Sequence, residues 1–597
     1  MCGIVACSST EMSQKAVVAA LGRMQYRGYD SYGFAYLSES GKLLEDKSID
    51  KFDIDAIHLP ESQIILGHTR WATHGSVTLN NSHPHLDKQR QFALVHNGIV
   101  DNFIDLKHAL IKRGTQFETE TDTEVLLHLM SDTLASCENR VEAIYSLWAQ
   151  IEGRNTLLFL FEDGELLGLR QGSPLVLGRS KTANYMASDI LAFAEDIDYC
   201  LPLADGQVAS IKGQSVEIYN CDRQKASPNW LEINFKIEKS DKDGYRHFML
   251  KEIGEQWSTI PRQLDQVNEV FKDLVNYIDT DKNADTKARQ RSVILTGAGG
   301  AFLAAKQIVW FLNTIAEIPA IVFPAYEFDQ ARLFVEEGDV LIAISQSGET
   351  ADTLNAIEIA KNWKMKVACV VNMPMSTMTQ TSDWVLYNQL GAEECVLSTK
   401  SASAQITFGY ILAHALKKDM ACLIKEFSHI SYRLSLALSE DQYSPLIKVA
   451  SYLANHNHVY ILGKGQYLAV AMIAALNIKE ASYLHAEAFS AGELKHGVLA
   501  LISEQVPVIL FMPRNDKYML GVAAELASRG AYLIAIVEDK DMLKNNGDQF
   551  DQMLLLPADG APVSAIITCQ LLAYYVAVAR NLDPDRPRNL AKSVTVQ

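Results

Sequence analysis

The chain has 597 residues, of which 48 % are hydrophobic and 21 % are charged, with 54 basic against 72 acidic side chains. This length exceeds the roughly 100–200 residues of one domain, and the composition is that of a folded protein, so we expect several domains and little disorder. A net charge of −18 without a run of basic residues argues against nucleic acid as a partner.

The nine cysteines are scattered, without a Cys-x-x-Cys pair or a Cys/His cluster at zinc spacing. This predicts neither disulfides nor a metal site, and it fits a reducing compartment. No basic region precedes an apolar stretch at the N-terminus, and the longest mostly apolar run, Ala565 to Ala579, is short for a membrane span. We therefore expect a cytoplasmic protein without a membrane partner and without a cofactor.

The chain begins with MCGIVAC, which places a cysteine directly after the first methionine. Cys2 either belongs to a short buried strand or, if Met1 is removed, carries both a thiol and a free α-amine. An α-amine with a pKa near ~7.7–8.0 accepts a proton at neutral pH, so it can activate that thiol without a histidine. The second interpretation requires a matching substrate site elsewhere in the chain.

The first 240 residues contain short strand-like runs such as QIILGHTRW, FALVHNGIV and NTLLFLFED. Helices are expected from Gln14 to Gln25 and from Asp122 to Asp132, and the mixture predicts a layered α+β domain.

Polar side chains concentrate where these strands run into loops, in LGHTRWATHG, ALVHNGIVDN and FETETDTE. Arg70 can hold an α-carboxylate with two hydrogen bonds, and Asp122 can pair with an α-ammonium group or simply cap its helix. In HNG, the Asn97 amide and the Gly98 N–H can face an oxyanion. Together these groups are what a thiol amidase needs.

Five motifs occur in the order and spacing of a known family: CGIV from Cys2, YRGYDS from Tyr26, HTRWATHG from His68, HNG from His96 and TDTE from Thr121. Over some 230 residues the chain resembles the class II glutamine amidotransferases, which have an N-terminal nucleophile. The resemblance implies that Cys2 attacks the amide of glutamine, forms a γ-glutamyl thioester and releases ammonia, with its own amine as base. It further implies an oxyanion hole of Asn97 and Gly98, and a glutamine site of Arg70, Thr73, His74 and Asp122.

A charged stretch over residues 239–244 interrupts the apolar pattern, and we place the main domain boundary there. Beyond it the chain repeats itself after 166 residues: VILTGAG from Val293 returns as VYILGKG from Val459, and VLIAISQSGET from Val340 returns as VPVILFMPRND from Val506. Short apolar runs alternate with helical segments in each copy, which is typical of parallel strands with helical crossovers. We expect two α/β domains of one fold, with ligands at the carboxyl ends of the strands.

SQSGETADT follows the apolar strand that ends at Ile344 and opens a helix. The hydroxyls of Ser345, Ser347 and Thr350, with N–H groups of the helix N-terminus, suit a phosphate group. No Walker lysine is present, which favours a monophosphate. The same hydroxyls could only cap the helix, and the sequence leaves that alternative open. The second copy has PRNDK at the equivalent place, so only the first copy is predicted to bind phosphate.

Three ionisable residues later in the chain suit carbonyl chemistry. Glu480 and His496 can move protons between neighbouring carbons and open a sugar ring, and Lys592 can form a Schiff base with a keto sugar. Each has a plain alternative: Glu480 could form a solvated pair with Lys479, and a tail lysine usually points into water. The turn LTGAGGAF lacks the third glycine of a dinucleotide loop, so a nicotinamide cofactor is not expected.

SQSGETADT, HAEAFSAGELKHG and PRNLAKSVTV resemble the sugar isomerase (SIS) half of the glutamine:fructose-6-phosphate amidotransferase family, and the likeness runs essentially from end to end. It implies an isomerising transaminase of amino-sugar biosynthesis, which makes glucosamine 6-phosphate and glutamate. His496 would assist ring opening, Lys592 would hold the sugar as an imine, and Glu480 would move a proton from C1 to C2. The sugar phosphate would bind to Ser345, Gln346, Ser347, Thr350 and Ser398.

The same resemblance implies a channel for ammonia with Trp71 as its gate, and a homodimer that shares His496 between subunits. The expected fold is an αββα glutaminase domain of the N-terminal-nucleophile type followed by two parallel-sheet α/β SIS domains. We expect the glutaminase domain over residues 2–238, a linker with a connecting helix over 239–283, SIS domains over 284–425 and 449–587, and a catalytic tail over 588–597.

Two departures from the family bear on the sugar. The family's Cys-Gly-Thr-Ser turn is Gly-Ala-Gly-Gly at 297–300, which removes hydroxyl contacts to the phosphate. Ile473 and Asn477 share a helix face with Glu480 where the family has Glu and Lys. A lysine lowers the pKa of a neighbouring base, so its loss should weaken isomerisation or change the acceptor. The alternatives are a paralogue that aminates another keto sugar phosphate, and a sugar-phosphate-gated glutaminase without isomerase activity, against which the retained Glu480, His496 and Lys592 argue.

Overall fold

The computed structural model describes residues 2–233, 241–279, 291–438, 443–538, 541–542, 547–557 and 562–592. The chain folds into two compact units. The first comprises Met1–Glu238, Glu349–Ala351 and Ala591–Gln597, and the second comprises Lys239–Gly348 and Asp352–Leu590.

The first unit is built on two antiparallel sheets. One sheet has the strand order β15-β11-β9-β10-β1-β4-β2-β3, and the other has the order β14-β13-β12-β8-β7-β6-β5. The strands are β1 (Gly3–Ser9), β2 (Ser31–Leu37), β3 (Leu43–Ser48), β4 (Ile64–Arg70), β5 (His85–Leu86), β6 (Phe92–Gly98), β7 (Asn155–Phe161), β8 (Glu165–Gln171), β9 (Val176–Arg179), β10 (Ala183–Ala187), β11 (Tyr199–Pro202), β12 (Val208–Lys212), β13 (Ser215–Tyr219), β14 (Lys225–Ala226) and β15 (Leu231–Glu232).

Helices cover the outer faces of both sheets. They are α1 (Gln14–Arg23), α2 (Phe103–Lys112), α3 (Thr123–Ser136) and α4 (Arg140–Trp148). The first predicted helix ends two residues early and continues as a 3₁₀ turn over Gln25–Arg27, and the second begins one residue late and runs to Ser136.

Strand β7, with the sequence NTLLFLF, has apolar side chains on both faces because both faces are buried. Leu157, Phe159 and Phe161 are buried in one cluster with residues of α3 and α4. Leu158 and Leu160 point to the opposite face and are buried with residues of the other sheet. A strand with a helix layer on one side and a sheet on the other must be apolar throughout, and the expected αββα arrangement is confirmed.

The second unit contains two parallel sheets with the same strand order, β17-β16-β18-β19-β20 and β22-β21-β23-β24-β25. Its strands are β16 (Val293–Gly297), β17 (Ala320–Pro324), β18 (Val340–Ile344), β19 (Lys366–Val371), β20 (Trp384–Tyr387), β21 (His458–Gly463), β22 (His485–Ser490), β23 (Pro507–Met512), β24 (Tyr532–Val537) and β25 (Gln552–Leu555). Its helices include α5 (Phe248–Arg262), α6 (Glu269–Ile278), α7 (Gly300–Phe311), α8 (Ala351–Asn362), α9 (Thr377–Thr381), α10 (Lys400–Lys417), α11 (Met420–Ala437), α12 (Ser444–Leu453), α13 (Leu468–Ser482), α14 (Lys517–Ala527) and the C-terminal helix Pro562–Ala579.

The shared strand order confirms the two α/β domains that the 166-residue repeat predicts. In this order, the connections that follow β16 and β18 run in opposite directions along the sheet. The same holds for the connections that follow β21 and β23. The carboxyl ends of such strand pairs form a crevice in which ligands bind. The turn at 297–300 and the loop SQSGET therefore follow neighbouring strands at the same edge.

Helix Pro562–Ala579 is the one described helix that is long and apolar enough to cross a membrane, and 83 % of it is buried in the protein. Ile566, Ile567 and Val576 belong to the core of the second unit. Residues of the expected linker join this core too, because Met249 and Ile253 of α5 are fully buried in it. Residues 239–240 and 280–283 of the linker lie outside the described residues.

Candidate active site

The thiol of Cys2 lies between β1 and the end of β4. The Trp71 N–H donates to Cys2 Sγ at 3.3 Å, and the carbonyl of Trp71 is 3.6 Å from the same sulfur. Burial raises the pKa of the Cys2 thiol, against the effect of the Trp71 N–H and of the nearby Arg70 guanidinium. The thiol is therefore largely protonated at neutral pH and needs a base before it can act as a nucleophile.

A cleft beside Cys2 collects most of the residues that the sequence assigns to glutamine. Its walls include Cys2, Arg70, Trp71, Thr73, His74, Gly98, Thr121, Asp122 and Thr123. These residues come from four separate chain segments, so the fold brings together what the motifs contribute singly.

The Arg70 guanidinium is 3 % exposed and already has acceptors. It donates to the carbonyl oxygens of His74, Gly75 and Ser76, which form the turn after β4. Glu120 holds the same turn, because its carboxylate accepts from the Ser76 N–H at 3.0 Å and from the Ser76 hydroxyl at 2.9 Å. A substrate carboxylate would have to share Arg70 with this turn.

Asp122 immediately precedes α3 but is not its cap. Among the described residues its carboxylate accepts no N–H of that helix, so the alternative of a side-chain helix cap is not realised. Instead Asp122 Oδ2 accepts from the Val100 N–H at 3.0 Å, just beyond β6. The carboxylate is 4 % exposed and lies in the cleft, which suits a cationic group of a ligand.

Asn97 and Gly98 end β6 next to Cys2. The Asn97 side-chain amide donates from Nδ2 to the carbonyl oxygen of Cys2 at 2.9 Å, which fixes its orientation. Gly98 has φ 137°, and a Cβ built on it would lie 2.1 Å from the carbonyl oxygen of Arg154. Only glycine fits this position, and Gly98 lines the cleft together with Cys2.

Replacement of Gly98 by alanine is expected to lower kcat for glutamine hydrolysis by about 100-fold or more, the cost of losing one oxyanion donor. The added methyl group must push Gly98 away from Arg154 and so misplace its N–H. Glutamate release is the measurement. Gly114→Ala is the matched control, since Gly114 also has a positive φ of 93° but no atom within 4 Å of its added Cβ. An equal effect of the two changes would contradict the assignment.

Four buried histidines at the cleft were not predicted as site residues from the sequence, and two of them, His83 and His96, line it. His68, His83, His85 and His96 are at most 5 % exposed, and the rings of His68 and His83 meet edge to face at 4.2 Å. Burial lowers the pKa of His68 and of His85 to about 3, and it lowers those of His83 and His96. The cluster is therefore neutral at physiological pH. The pattern HPH was the available signal, and in the structure the rings of His83 and His85 meet edge to face at 4.8 Å.

The loop SQSGET leaves β18 as a tight turn. The Gly348 N–H donates to Ser345 Oγ at 3.1 Å, and the carbonyl of Gln346 accepts from the Asn372 N–H at 3.0 Å. Gly348 has φ 68°, and an added Cβ would lie 2.1 Å from Ser376 Oγ. Ser347 and Thr350 are half-buried in the same loop.

Ser398 comes from a different segment of the chain but reaches the same crevice. A Cβ on Gly300 would lie 3.6 Å from Ser398 Oγ, so Ser398 adjoins the turn at 297–300, which follows the strand beside β18. The loop SQSGET and Ser398, both predicted to bind phosphate, therefore lie at one edge of the sheet.

Two buried carboxylates that sequence reasoning missed hold the segment around Ser398. Glu252 accepts from the N–H groups of Glu394 and Cys395 and from the Thr399 hydroxyl. Glu393 accepts from the Thr399 N–H at 3.0 Å. These contacts fix the backbone on both sides of Ser398.

The face of α13 that carries Glu480 is mostly buried. Ile473 and Asn477 are buried, Glu480 is half-buried, and Lys479 points into solvent. Asn477 Oδ1 is buried without a hydrogen-bond partner among the residues that the structure describes. A buried amide oxygen of this kind is costly unless a ligand or water pairs with it.

His496 and Lys592 are less enclosed. His496 is exposed at the end of the 3₁₀ turn Glu493–His496. Lys592 is half-buried, and its backbone N–H donates to the carbonyl of Tyr26 at 3.4 Å. Residues 593–597 of the expected catalytic tail lie outside the described residues.

The fold and the cleft define a glutamine amidotransferase joined to a pair of sugar isomerase domains. Residues 52–217 match the glutamine amidotransferase domain model, and residues 288–415 and 452–580 each match the SIS domain model. The chain is 35 % identical over 619 residues to the glutamine–fructose-6-phosphate aminotransferase (isomerizing) of Pseudomonas putida and 36 % identical over 615 residues to that of Pyrococcus horikoshii, with 100 % of each chain covered.

Among solved structures, the chain is similar to the C-terminal domain of glucosamine-fructose-6-phosphate aminotransferase from Francisella tularensis, with a TM-score of 0.52 and 29 % identity. That comparison covers 58 % of this chain and 100 % of the other. The chain therefore belongs to the glutamine–fructose-6-phosphate aminotransferase (isomerizing) family.

Proposed function

We propose that the protein hydrolyses glutamine at Cys2 and delivers the ammonia to fructose 6-phosphate, giving glutamate and glucosamine 6-phosphate. The observation that carries this proposal is the full-length match to relatives of that name, joined to a cleft in which Cys2, Arg70, Gly98 and Asp122 meet. The protein would act in the cytoplasm as a homodimer.

Before any turnover, removal of Met1 frees the α-amine of Cys2. That amine takes the thiol proton, and the thiolate attacks the amide carbon of glutamine. Asn97 Nδ2 and the Gly98 N–H would stabilise the oxyanion. The protonated α-amine of Cys2 then gives its proton to the amide nitrogen of glutamine as that nitrogen leaves. Ammonia leaves, and water then hydrolyses the γ-glutamyl thioester to glutamate.

Four residues would hold the glutamine backbone in this step. Arg70 would bind the α-carboxylate and Asp122 the α-ammonium group. Thr73 and His74 would line the pocket. The backbone N–H of Trp71 contacts the Cys2 thiol, so Trp71 lies where ammonia is released. Its side chain is the proposed gate for that ammonia.

The sugar phosphate would bind at the edge shared by β16 and β18. Ser345, Gln346, Ser347 and Thr350 would hold the phosphate together with Ser398. His496 would open the ring, and Lys592 would hold the keto sugar as an imine until ammonia replaces it. Glu480 would then take the C1 proton and return it to C2, which converts the ketose skeleton into the aldose.

Glutamine labelled with ¹⁵N at its amide tests whether the two reactions are joined. With fructose 6-phosphate and an excess of unlabelled ammonium salt, the proposal predicts that the amino sugar carries mainly ¹⁵N. An amino sugar with the isotope ratio of the bulk solution would contradict direct transfer.

A second candidate is amination of a different keto sugar phosphate. Asn477 and the turn at 297–300 favour it, because the lysine and the hydroxyls expected there are absent. The test compares kcat/KM for amino-sugar formation across a panel of ketose phosphates. A different ketose preferred by at least about tenfold over fructose 6-phosphate would establish this candidate. Asn477→Lys should then shift the ratio back towards fructose 6-phosphate.

A further inference from the structure

We propose that Thr123 is a positioning residue for the oxyanion hole, because its hydroxyl is the centre of a one-way chain of hydrogen bonds from His83 through His96 to Asn155. The inference rests on the proposed glutaminase function. Thr123 begins α3, is 1 % exposed, and lies 3.0 Å from a ring nitrogen of each histidine.

The direction of each bond follows from counting hydrogens. Asn155 Nδ2 donates to the carbonyl of Glu152, so Asn155 Oδ1 is the atom that faces His96 Nε2, at 2.9 Å. An amide oxygen only accepts, so His96 Nε2 carries the hydrogen. Because buried His96 is neutral, its Nδ1 is an acceptor, and the hydroxyl of Thr123 donates to it.

The remaining bonds are then determined. A threonine hydroxyl has one hydrogen, and His96 uses it, so Thr123 Oγ1 must accept from the N–H of His83 Nε2. His68 Nε2 lies 3.3 Å from the carbonyl of His96, so it too must be a donor. Each of these polar atoms has one consistent role, and no alternative tautomer of His83 or His96 satisfies the chain.

The chain joins the two halves of the glutaminase site. Thr123 is bonded covalently to Asp122, the proposed ammonium ligand, and His96 is bonded to Asn97, the proposed oxyanion donor. A second bridge, from the Val100 N–H to Asp122, connects the same two segments beyond Gly98. The Thr123 hydroxyl therefore sets the register between the start of α3 and the end of β6.

Thr123→Val keeps the branched shape but leaves His96 Nδ1 and the His83 N–H without a partner in a buried site. Unpaired buried groups of this kind are costly, so we expect the two rings to reorient and Asn97 to shift. The expected result is a fall in kcat for glutamine hydrolysis of at least about tenfold, with KM changed less than about threefold. Thr123→Ser, which restores the hydroxyl, is expected to stay within about threefold of the wild type.

Thr133→Val is the matched control. Thr133 is a buried threonine of the same helix, and its hydroxyl donates only within α3, to the carbonyl of Met130 and weakly to its sulfur.

The melting temperature and the rate of Cys2 alkylation by iodoacetamide should remain close to wild type in the Thr123→Ser variant. If Thr123→Val does not fold, His83→Phe removes the donor to Thr123 while keeping an aromatic ring against His68 and His85, and it is expected to lower kcat at least about threefold.

Three results would overturn the inference: wild-type kcat in Thr123→Val, an equal loss in Thr133→Val, or no rescue by serine. For the His83→Phe variant, wild-type kcat would do the same. A wild-type chain that releases no glutamate contradicts the proposed function itself, and the inference falls with it. In the other cases the wild type still releases glutamate, so the inference about Thr123 fails while the proposed function stands.

Discussion

Replacement of Cys2 by alanine is expected to abolish glutamine hydrolysis, with a fall in kcat of at least about 1,000-fold. Without the sulfur no thioester forms, and the oxyanion donors of β6 have no tetrahedral adduct to stabilise. Glutamate release measures this effect directly. Binding of fructose 6-phosphate should be unchanged, because its proposed site is built from other residues.

Cys221→Ala is the control for this experiment, because Cys221 is exposed. Cys7, in the strand that follows the nucleophile, cannot substitute for it, since burial raises the pKa of the Cys7 thiol to about 12. Glutaminase activity in Cys2→Ala within tenfold of wild type would refute the nucleophile. An intact mass that still includes Met1 in the active protein would refute the α-amine as its base.

Glu480→Gln is expected to lower amino-sugar formation by at least about 100-fold, while glutamate release in the presence of fructose 6-phosphate continues. The amide has the shape of the carboxylate but cannot accept the C1 proton. Both products are measured in one reaction mixture, so that the effect on isomerisation is separated from the effect on ammonia production.

Glu358→Gln is the matched control, because Glu358 is exposed on α8 and should leave both products unchanged. Undiminished amino-sugar formation in Glu480→Gln would assign the proton transfer to another group. A parallel loss of both products would instead place Glu480 in a structural role.

The architecture could be predicted from the sequence because its signals are local. The apolar run of β7 and the 166-residue repeat of the parallel strands are visible without any knowledge of contacts. The cleft residues were predicted because they lie in short motifs. Their hydrogen bonds were not: the orientation of Asp122 towards Val100 instead of its own helix depends on how β6 approaches α3.

The supporting groups could not be predicted, because their partners are distant in sequence. Glu252 and Thr399 meet only when α5 packs against the start of α10. The link between His83 and Thr123 likewise depends on the pairing of β5 with β6. Residue types predict which chemistry is available, whereas tertiary packing decides which atoms are already paired.

The most direct test of the account is the stoichiometry of one reaction with glutamine and fructose 6-phosphate as the only substrates. Glutamate and glucosamine 6-phosphate, quantified in the same sample by mass spectrometry, should appear in equal amounts. Glutamate that accumulates without any amino sugar would contradict the account.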